Sequence, residues 1–181
     1  MSEIQYIIGI DPGFTGGICV IESETRKLHL IGPIPVIKNK KKKTELDEMK
    51  IREVLIPFIK PKTRIFIEQV NAMPQQGVVS MFRFGTTWGL LRGICVGLGN
   101  QPILVHPIKW KNGLNLGKKA KKAEYKMAKR FYPSITWIAT KRSRKPHEGM
   151  IDAALIAAYG RQTILEQDKS NVQEKARSVN R

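Results

Sequence analysis

Residues 4–21 read IQYIIGIDPGFTGGICVI, two apolar runs on either side of a single acid, Asp11. β-Branched residues flanking a Pro-Gly turn predict two strands, 4–10 and 17–22, joined tightly. Asp11 then stands at the carboxyl end of a buried strand, where open α/β sheets place their ligands. The glycines beside it let the backbone turn and let a bulky partner approach. A carboxylate at a buried strand end needs a compensating group, and that group has to come from elsewhere in the chain.

Working outward, residues 28–34 predict a third strand, so the first part of the chain reads as an antiparallel meander ended by Pro33 and Pro35. The run KNKKKK at 38–43 reads as a mobile loop, either a solvated face or a DNA contact. Leu46, Met49, Val54, Leu55 and Phe58 give 45–59 the period of an amphipathic helix, kinked or ended at Pro57. Residues 64–68, RIFIE, form a short buried strand that ends on Glu68. An apolar helix over 79–98 carries Gly85, Gly89, Gly93 and Gly97, a smooth ridge suited to packing on a sheet or a second helix. A strand at 102–105 ends at His106, a strongly basic helix covers 118–132, and an Ala-rich helix covers 149–165. This order predicts an α/β fold, a mixed sheet with helices on both faces, in one domain over 1–167. The polar residues 168–181 read as a disordered tail.

Among 181 residues, 32 are Lys or Arg and 15 are Asp or Glu, a formal net charge of +17. Such an excess repels itself in a compact state and is normally neutralised by a polyanion; nucleic acid is the expected partner. Cys19 and Cys95 belong to no CxxC motif or Cys/His cluster and read as buried thiols in a reducing compartment. No apolar run approaches the roughly 20 residues of a membrane span. The first strand starts almost at Met1, leaving no room for a targeting peptide, so a cytoplasmic or equivalent reduced location is expected.

Asp11 and Glu68 are weak signals alone, because turns and strand ends often carry an acid. Glu148 and Asp152 say more. They lie four apart at a helix start and share one face, with Cβ atoms roughly 6 Å apart. Like charges so placed repel, and the helix dipole relieves only part of the cost. A shared divalent cation reverses the sign, and carboxylates are the hard ligands that magnesium and manganese prefer. Two such ions about 3.5–4 Å apart activate a water and stabilise the leaving oxygen in phosphodiester hydrolysis. His147, next to Glu148, is a ligand, a proton shuttle, a phosphate contact or simply an exposed helix-start residue.

Three motifs, in order along nearly the whole chain, resemble those of RuvC-type Holliday junction resolvases, members of the ribonuclease H-like nucleases. They are Gly9-Ile10-Asp11-Pro12-Gly13, Ile67-Glu68-Gln69-Val70 and Asp152-Ala153-Ala154-Leu155-Ile156-Ala157. The spacing of Glu148 and Asp152 and the run Ala-Leu-Ile-Ala-Ala-Tyr-Gly are more similar to the plastid (monokaryotic-chloroplast) branch and its phage and bacterial relatives. Where the family spaces its last two ligands by three, this chain has Gly149, which cannot bind metal, and Glu148 inherits the role.

The resemblance implies a ribonuclease H-like sheet, a three-strand antiparallel meander plus parallel strands. It implies an endodeoxyribonuclease with Asp11, Glu68, Glu148 and Asp152 as catalytic metal ligands. Two Mg2+ per site, or Mn2+ in their place, support water attack that leaves 5′-phosphate and 3′-hydroxyl ends. It further implies a homodimer making paired nicks in a four-way junction, with no nucleotide cofactor. The family's aromatic wedge would fall at Asn71 here; Phe82, Phe84 or Met73 are the alternatives. Lys109, Lys111, Lys118, Lys119 and Lys121 resemble the family's DNA-backbone lysines, and Arg142 and Arg144 form a basic loop before Glu148. Trp110 either stacks on a base or packs inside.

Two other enzyme classes and a binding module compete with this reading. The Gly-Ile-Asp-x-Gly pattern also resembles the phosphate loop of sugar kinases and actin-like ATPases, but those need a second half that this chain is too short to hold. An RNA/DNA-hybrid nuclease shares the strand-end acids. A non-catalytic basic binding module has no use for four carboxylates that repel DNA.

Overall fold

The computed structural model describes residues 4–71, 77–117 and 121–179. Strands β1 (Tyr6–Asp11), β2 (Gly17–Glu22) and β3 (Leu28–Pro33) form the expected meander. β4 (Val36–Lys38) and β5 (Thr44–Leu46) follow as a separate antiparallel hairpin, then helix α1 (Glu48–Leu55) and a single 3-10 turn, Ile56–Phe58. Next come β6 (Thr63–Glu68), α2 (Val78–Gly97), β7 (Ile103–Val105), α3 (Pro107–Gly113), α4 (Lys121–Phe131) and α5 (Glu148–Val179). The main sheet runs β3-β2-β1-β6-β7, with β6 and β7 parallel to β1. This is the mixed sheet the sequence predicts.

Alternation along the strands divides the core in two. Ile7, Cys19, Ile21, Phe66 and Val105 face α3, α4 and α5, together with Trp110, Ala128 and Leu155. Ile8, Ile10, Ile18, Val20, Ile65 and Ile67 face the opposite side, against Ile51 and Leu55 of α1 and Leu91 and Cys95 of α2. Full burial of each isoleucine contributes about 1.5–3 kcal/mol. Helices therefore cover both faces, and both cysteines are free and buried.

Several elements differ from the sequence reading. The lysine run, expected as a loop, closes the β4–β5 hairpin: Lys38 ends β4 and residues 39–43 form the turn. Residues 45–47 consequently belong to β5 and a cap: Asp47 accepts from the Lys50 amide at 2.9 Å and starts α1 late, as Asp does at helix N-termini. Met49, expected to face inward, is 65% exposed. Pro33 ends β3 inside the ladder, opposite Gly17, which an edge strand tolerates. α3 was not predicted. It is short, begins at Pro107, and is capped by His106, whose Nδ1 accepts from the Ile108 amide at 3.3 Å. α5 stays helical past Asp168, where the sequence suggests an irregular tail.

The glycine ridge of α2 is also corrected. A Cβ added at Gly85, Gly89, Gly93 or Gly97 would meet nothing within 4 Å. The ridge looks outward and packs on nothing among the described residues. Helix α2 is apolar all round, so its buried side is chosen by Thr87, Leu91 and Cys95, and the glycines are left on the other.

Candidate active site

Asp11 is the last residue of β1 and Glu68 the last of β6, and the parallel register pairs Ile10 with Ile67 immediately before them. Two neighbouring strand ends thus carry one carboxylate each. Asp152 comes from the first turns of α5, and glycines set how close that helix lies. A Cβ at Gly9 would stand 2.2 Å from the Ala153 carbonyl oxygen and 2.5 Å from the Ala157 nitrogen. One at Gly149 would stand 2.2 Å from the Thr15 carbonyl oxygen. Backbone of helix and sheet touch directly at these points, which brings Asp152 to Asp11. The same contact explains the spacing of four. Position 149 faces the β1–β2 turn with no room for a side chain, so the next acid back is Glu148.

The electrostatics follow from this crowding. Burial, then the charges of Glu68 and Asp152, hold the Asp11 carboxyl well above the ordinary range. Burial, followed by Glu124 and Glu68, pushes Asp152 up to about 7. Burial also raises Glu68, although the Trp110 hydrogen bond and Lys111 oppose it. Glu148 behaves differently: it is exposed, and Lys121 Nζ donates to its Oε2 at 2.7 Å.

Two neighbours of the acids, Trp88 and Glu124, escape the sequence reading, which leaves a third, Trp110, between stacking and packing. Trp110 is buried, and its Nε1 donates to Glu68 Oε1 at 2.9 Å. It packs rather than stacking on a base, and it orients a carboxylate. Trp88 Nε1 holds the Glu68 backbone carbonyl at 3.1 Å. Glu124 of α4 is buried and pairs with Lys111 Nζ at 2.9 Å. Burial lowers the Lys111 pKa, but Glu124, Asp152 and Glu68 together outweigh it and the net shift is upward. An acid inside KKAEYKMAKR reads as helix surface; only the position of α3 reveals its partner.

The predicted basic residues separate into groups. Lys109, Arg142 and Arg144 are exposed. Lys111 faces the acids instead of open solvent, and Lys121 caps Glu148. Lys118 and Lys119 lie outside the described residues, as does Met73. His147 is half-buried, its pKa lowered by burial, and its Nδ1 accepts from the Met150 amide at 3.2 Å. It therefore helps to start α5. Asn71, at the wedge position, lies 3.4 Å from His106 Nε2.

The donor set suits a hard divalent cation, being carboxylate oxygen crowded by like charge. Among the described residues no three acid, histidine or cysteine side chains already converge as a finished metal site. Glu68 and Asp152 lie close enough to Asp11 to raise its pKa, whereas the exposed Glu148 pairs with Lys121.

A stability test follows. Unfolded carboxylates ionise near pH 4, whereas Asp152 in the fold holds its proton to about pH 7. Stability is therefore greatest below the unfolded value and falls as pH rises through the folded one. The loss, screened by the partly open position of the group, is about 2 kcal/mol. Without divalent cation, the melting temperature is expected to drop between pH 5 and pH 8. Asp152→Asn should flatten the drop, and Mg2+ should reverse it at pH 8. A wild-type melting temperature that falls no more between pH 5 and pH 8 than the variant's would refute this account of the site.

No protein-family model and no curated protein sequence matches the chain. Solved structures do. A Thermus thermophilus RuvC structure in complex with Holliday junction substrate aligns over 86% of this chain and 92% of its own, at 19% identity and a TM-score of 0.62. A second Thermus thermophilus RuvC structure aligns over 88% and 96%, at 18% identity and a TM-score of 0.55. The order of strands, the helices on both faces and these alignments agree: the chain has the ribonuclease H-like fold of the RuvC structures.

Proposed function

We propose that the protein is a metal-dependent endodeoxyribonuclease that resolves four-way DNA junctions by paired nicks. The observation that carries this reading is the meeting of Asp11, Glu68 and Asp152 from β1, β6 and α5. All three are buried enough to be held above their ordinary pKa. Acids crowded in this way repel one another when ionised, and a shared cation reverses the sign. Its fold neighbours include a RuvC structure bound to Holliday junction substrate, and the +17 charge suits a polyanion.

Asp11, Glu68 and Asp152, joined by Glu148, would hold one or two Mg2+ or Mn2+ ions. These supply charge stabilisation for in-line hydrolysis of a phosphodiester, leaving 5′-phosphate and 3′-hydroxyl ends. Trp110 fixes the rotamer of Glu68. Lys111, tied to Glu124, keeps a positive charge beside the acids. Exposed Lys109, Arg142 and Arg144 neutralise backbone phosphates without reading sequence. Of the candidates for unstacking the junction centre, Phe82 is 75% exposed, whereas Phe84 is half-buried beside Gly13. Phe82 takes the role in this reading.

The test uses labelled four-way junction, linear duplex and RNA/DNA hybrid, with and without Mg2+. Paired symmetric nicks confined to the junction and dependent on metal are expected. Hybrid cleavage would move the activity elsewhere among ribonuclease H-like nucleases, and junction binding without cleavage would leave only a binding module.

Paired nicks require two sites, and the open side of α2 supports a homodimer. Gly85, Gly89 and Gly93 leave a flat helix surface bordered by the exposed Val96. Gly89→Glu should convert a sedimenting dimer to monomer while leaving the melting temperature within a few degrees. An unchanged sedimentation coefficient would exclude that face.

A further inference from the structure

The lysines of the β4–β5 turn have no place in the site as described. Lys40, Lys41, Lys42 and Lys43 are all exposed. None of them pairs with a carboxylate among the described residues, where the ion pairs are Lys50–Glu53, Lys111–Glu124 and Lys121–Glu148. Four adjacent cations without counter-ions repel one another, and a flexible loop would let them spread. Here hydrogen bonds to Asn39 hold the backbone of the turn that carries them.

Asn39 organises the turn. Its Oδ1 accepts from the amides of Lys41 and Lys43, both at 2.9 Å, and its own amide donates to the Lys43 carbonyl at 2.9 Å. Lys42 adopts φ +57°, the left-handed conformation that closes the turn. Asn39 Nδ2 engages Glu45 at 2.6 Å, which occupies the nearest acid. Glu48 is the other carboxylate on this side of the groove.

The hairpin is also fixed relative to the active site. Arg83 of α2 donates from Nη2 to the Thr44 carbonyl at 3.1 Å, and its guanidinium lies 4.8 Å from the centre of the Phe14 ring. Phe14 belongs to the turn that follows Asp11. A concavity of 800 Å3 starts at Asp11 and a second of 400 Å3 reaches Lys43 and Thr44; Phe14, Val79 and Arg83 line both. The two concavities adjoin at Phe14, Val79 and Arg83, so a path along them runs from Asp11 to Lys43 at the turn.

We propose that the β4–β5 turn is a second DNA-backbone site, in which Lys40–Lys43 clamp the phosphates of a strand that leaves Asp11 along the Phe14–Arg83 groove. The inference rests on the nuclease reading for the choice of polyanion. Lysines on a turn give point charges with no base readout, so the clamp adds affinity and sets the path of a DNA arm without sequence preference.

The experiment compares wild type with Lys40→Gln/Lys41→Gln/Lys42→Gln/Lys43→Gln and with the corresponding four-arginine protein. Fluorescence anisotropy of a labelled four-way junction is followed over a KCl series without divalent cation. Each phosphate contact contributes about 0.9 to the slope of log affinity against log salt. The glutamine protein should lose about 2–4 from the slope magnitude, and the arginine protein should keep it. An unchanged slope in the glutamine protein overturns the clamp. Nicking by wild type, assayed with Mg2+ on the same preparations, separates the two readings. Nicking with an unchanged slope refutes the clamp alone; a reduced slope without nicking supports the clamp and refutes the nuclease. Wild type that binds no DNA refutes both.

Discussion

An Asp11→Asn protein is expected to bind a four-way junction at least as tightly as wild type and to nick it at least about 100-fold more slowly. Asp11 is the acid that the other three crowd, since Glu68, Asp152 and Glu148 all raise its pKa. Asparagine keeps its shape but removes the charge that a cation would neutralise. Loss of even an outer partner of a metal ligand costs about 10–100-fold, so loss of a ligand should exceed that range. Removing a negative charge near DNA phosphates cannot weaken their binding electrostatically. Nicking within tenfold of wild type would take Asp11 out of the metal set. Loss of binding together with a lower melting temperature would assign it a structural role.

Gly9→Ala is expected to destabilise the protein by about 3 kcal/mol, at the upper end of what overpacking costs. The added carbon would stand 2.2 Å from a carbonyl oxygen and 2.5 Å from an amide nitrogen of α5. Both are backbone atoms, so no side chain can swing aside and the helix has to move. At 2–4 °C per kcal/mol for a chain of this size, the melting temperature should fall by about 6–12 °C. Nicking should fall further than stability accounts for, because the helix that moves carries Asp152. Gly32→Ala is the control: a Cβ there meets nothing within 4 Å, and its melting temperature should stay near wild type. Equal melting temperatures for the two variants would remove close helix–sheet contact as the device that assembles the site.

The parts of this fold that alternation dictates were legible. β1, β2, β3 and β6 are short apolar runs rich in isoleucine or leucine with turns at their ends, and their order alone implied a mixed sheet. Asp11, Glu68 and Asp152 were legible as strand-end and helix-start acids, and the fold brings them together. Most of the misreadings share a cause, which is that the deciding partner lies far away in sequence; the lysine run is the local exception. Apolar character on every side of α2 concealed which face it buries. A lysine run looked mobile because the bonds that order it come from Asn39. Glu124 and Trp110 needed α3 to be placed before their roles appeared, and α3 is too short to show a period. Glu148 was named as a ligand, and the structure shows it on Lys121.

The buried thiols have a practical side. Thiolate, not thiol, reacts with maleimides and iodoacetamides. Burial raises Cys19 far above its normal range and Cys95 to about 12, and neither side chain is exposed. The native protein should therefore resist such reagents at neutral pH without any cysteine being removed. A cysteine introduced at exposed Lys41 would be its one reactive thiol, a ready attachment point for a dye or crosslinker beside the groove.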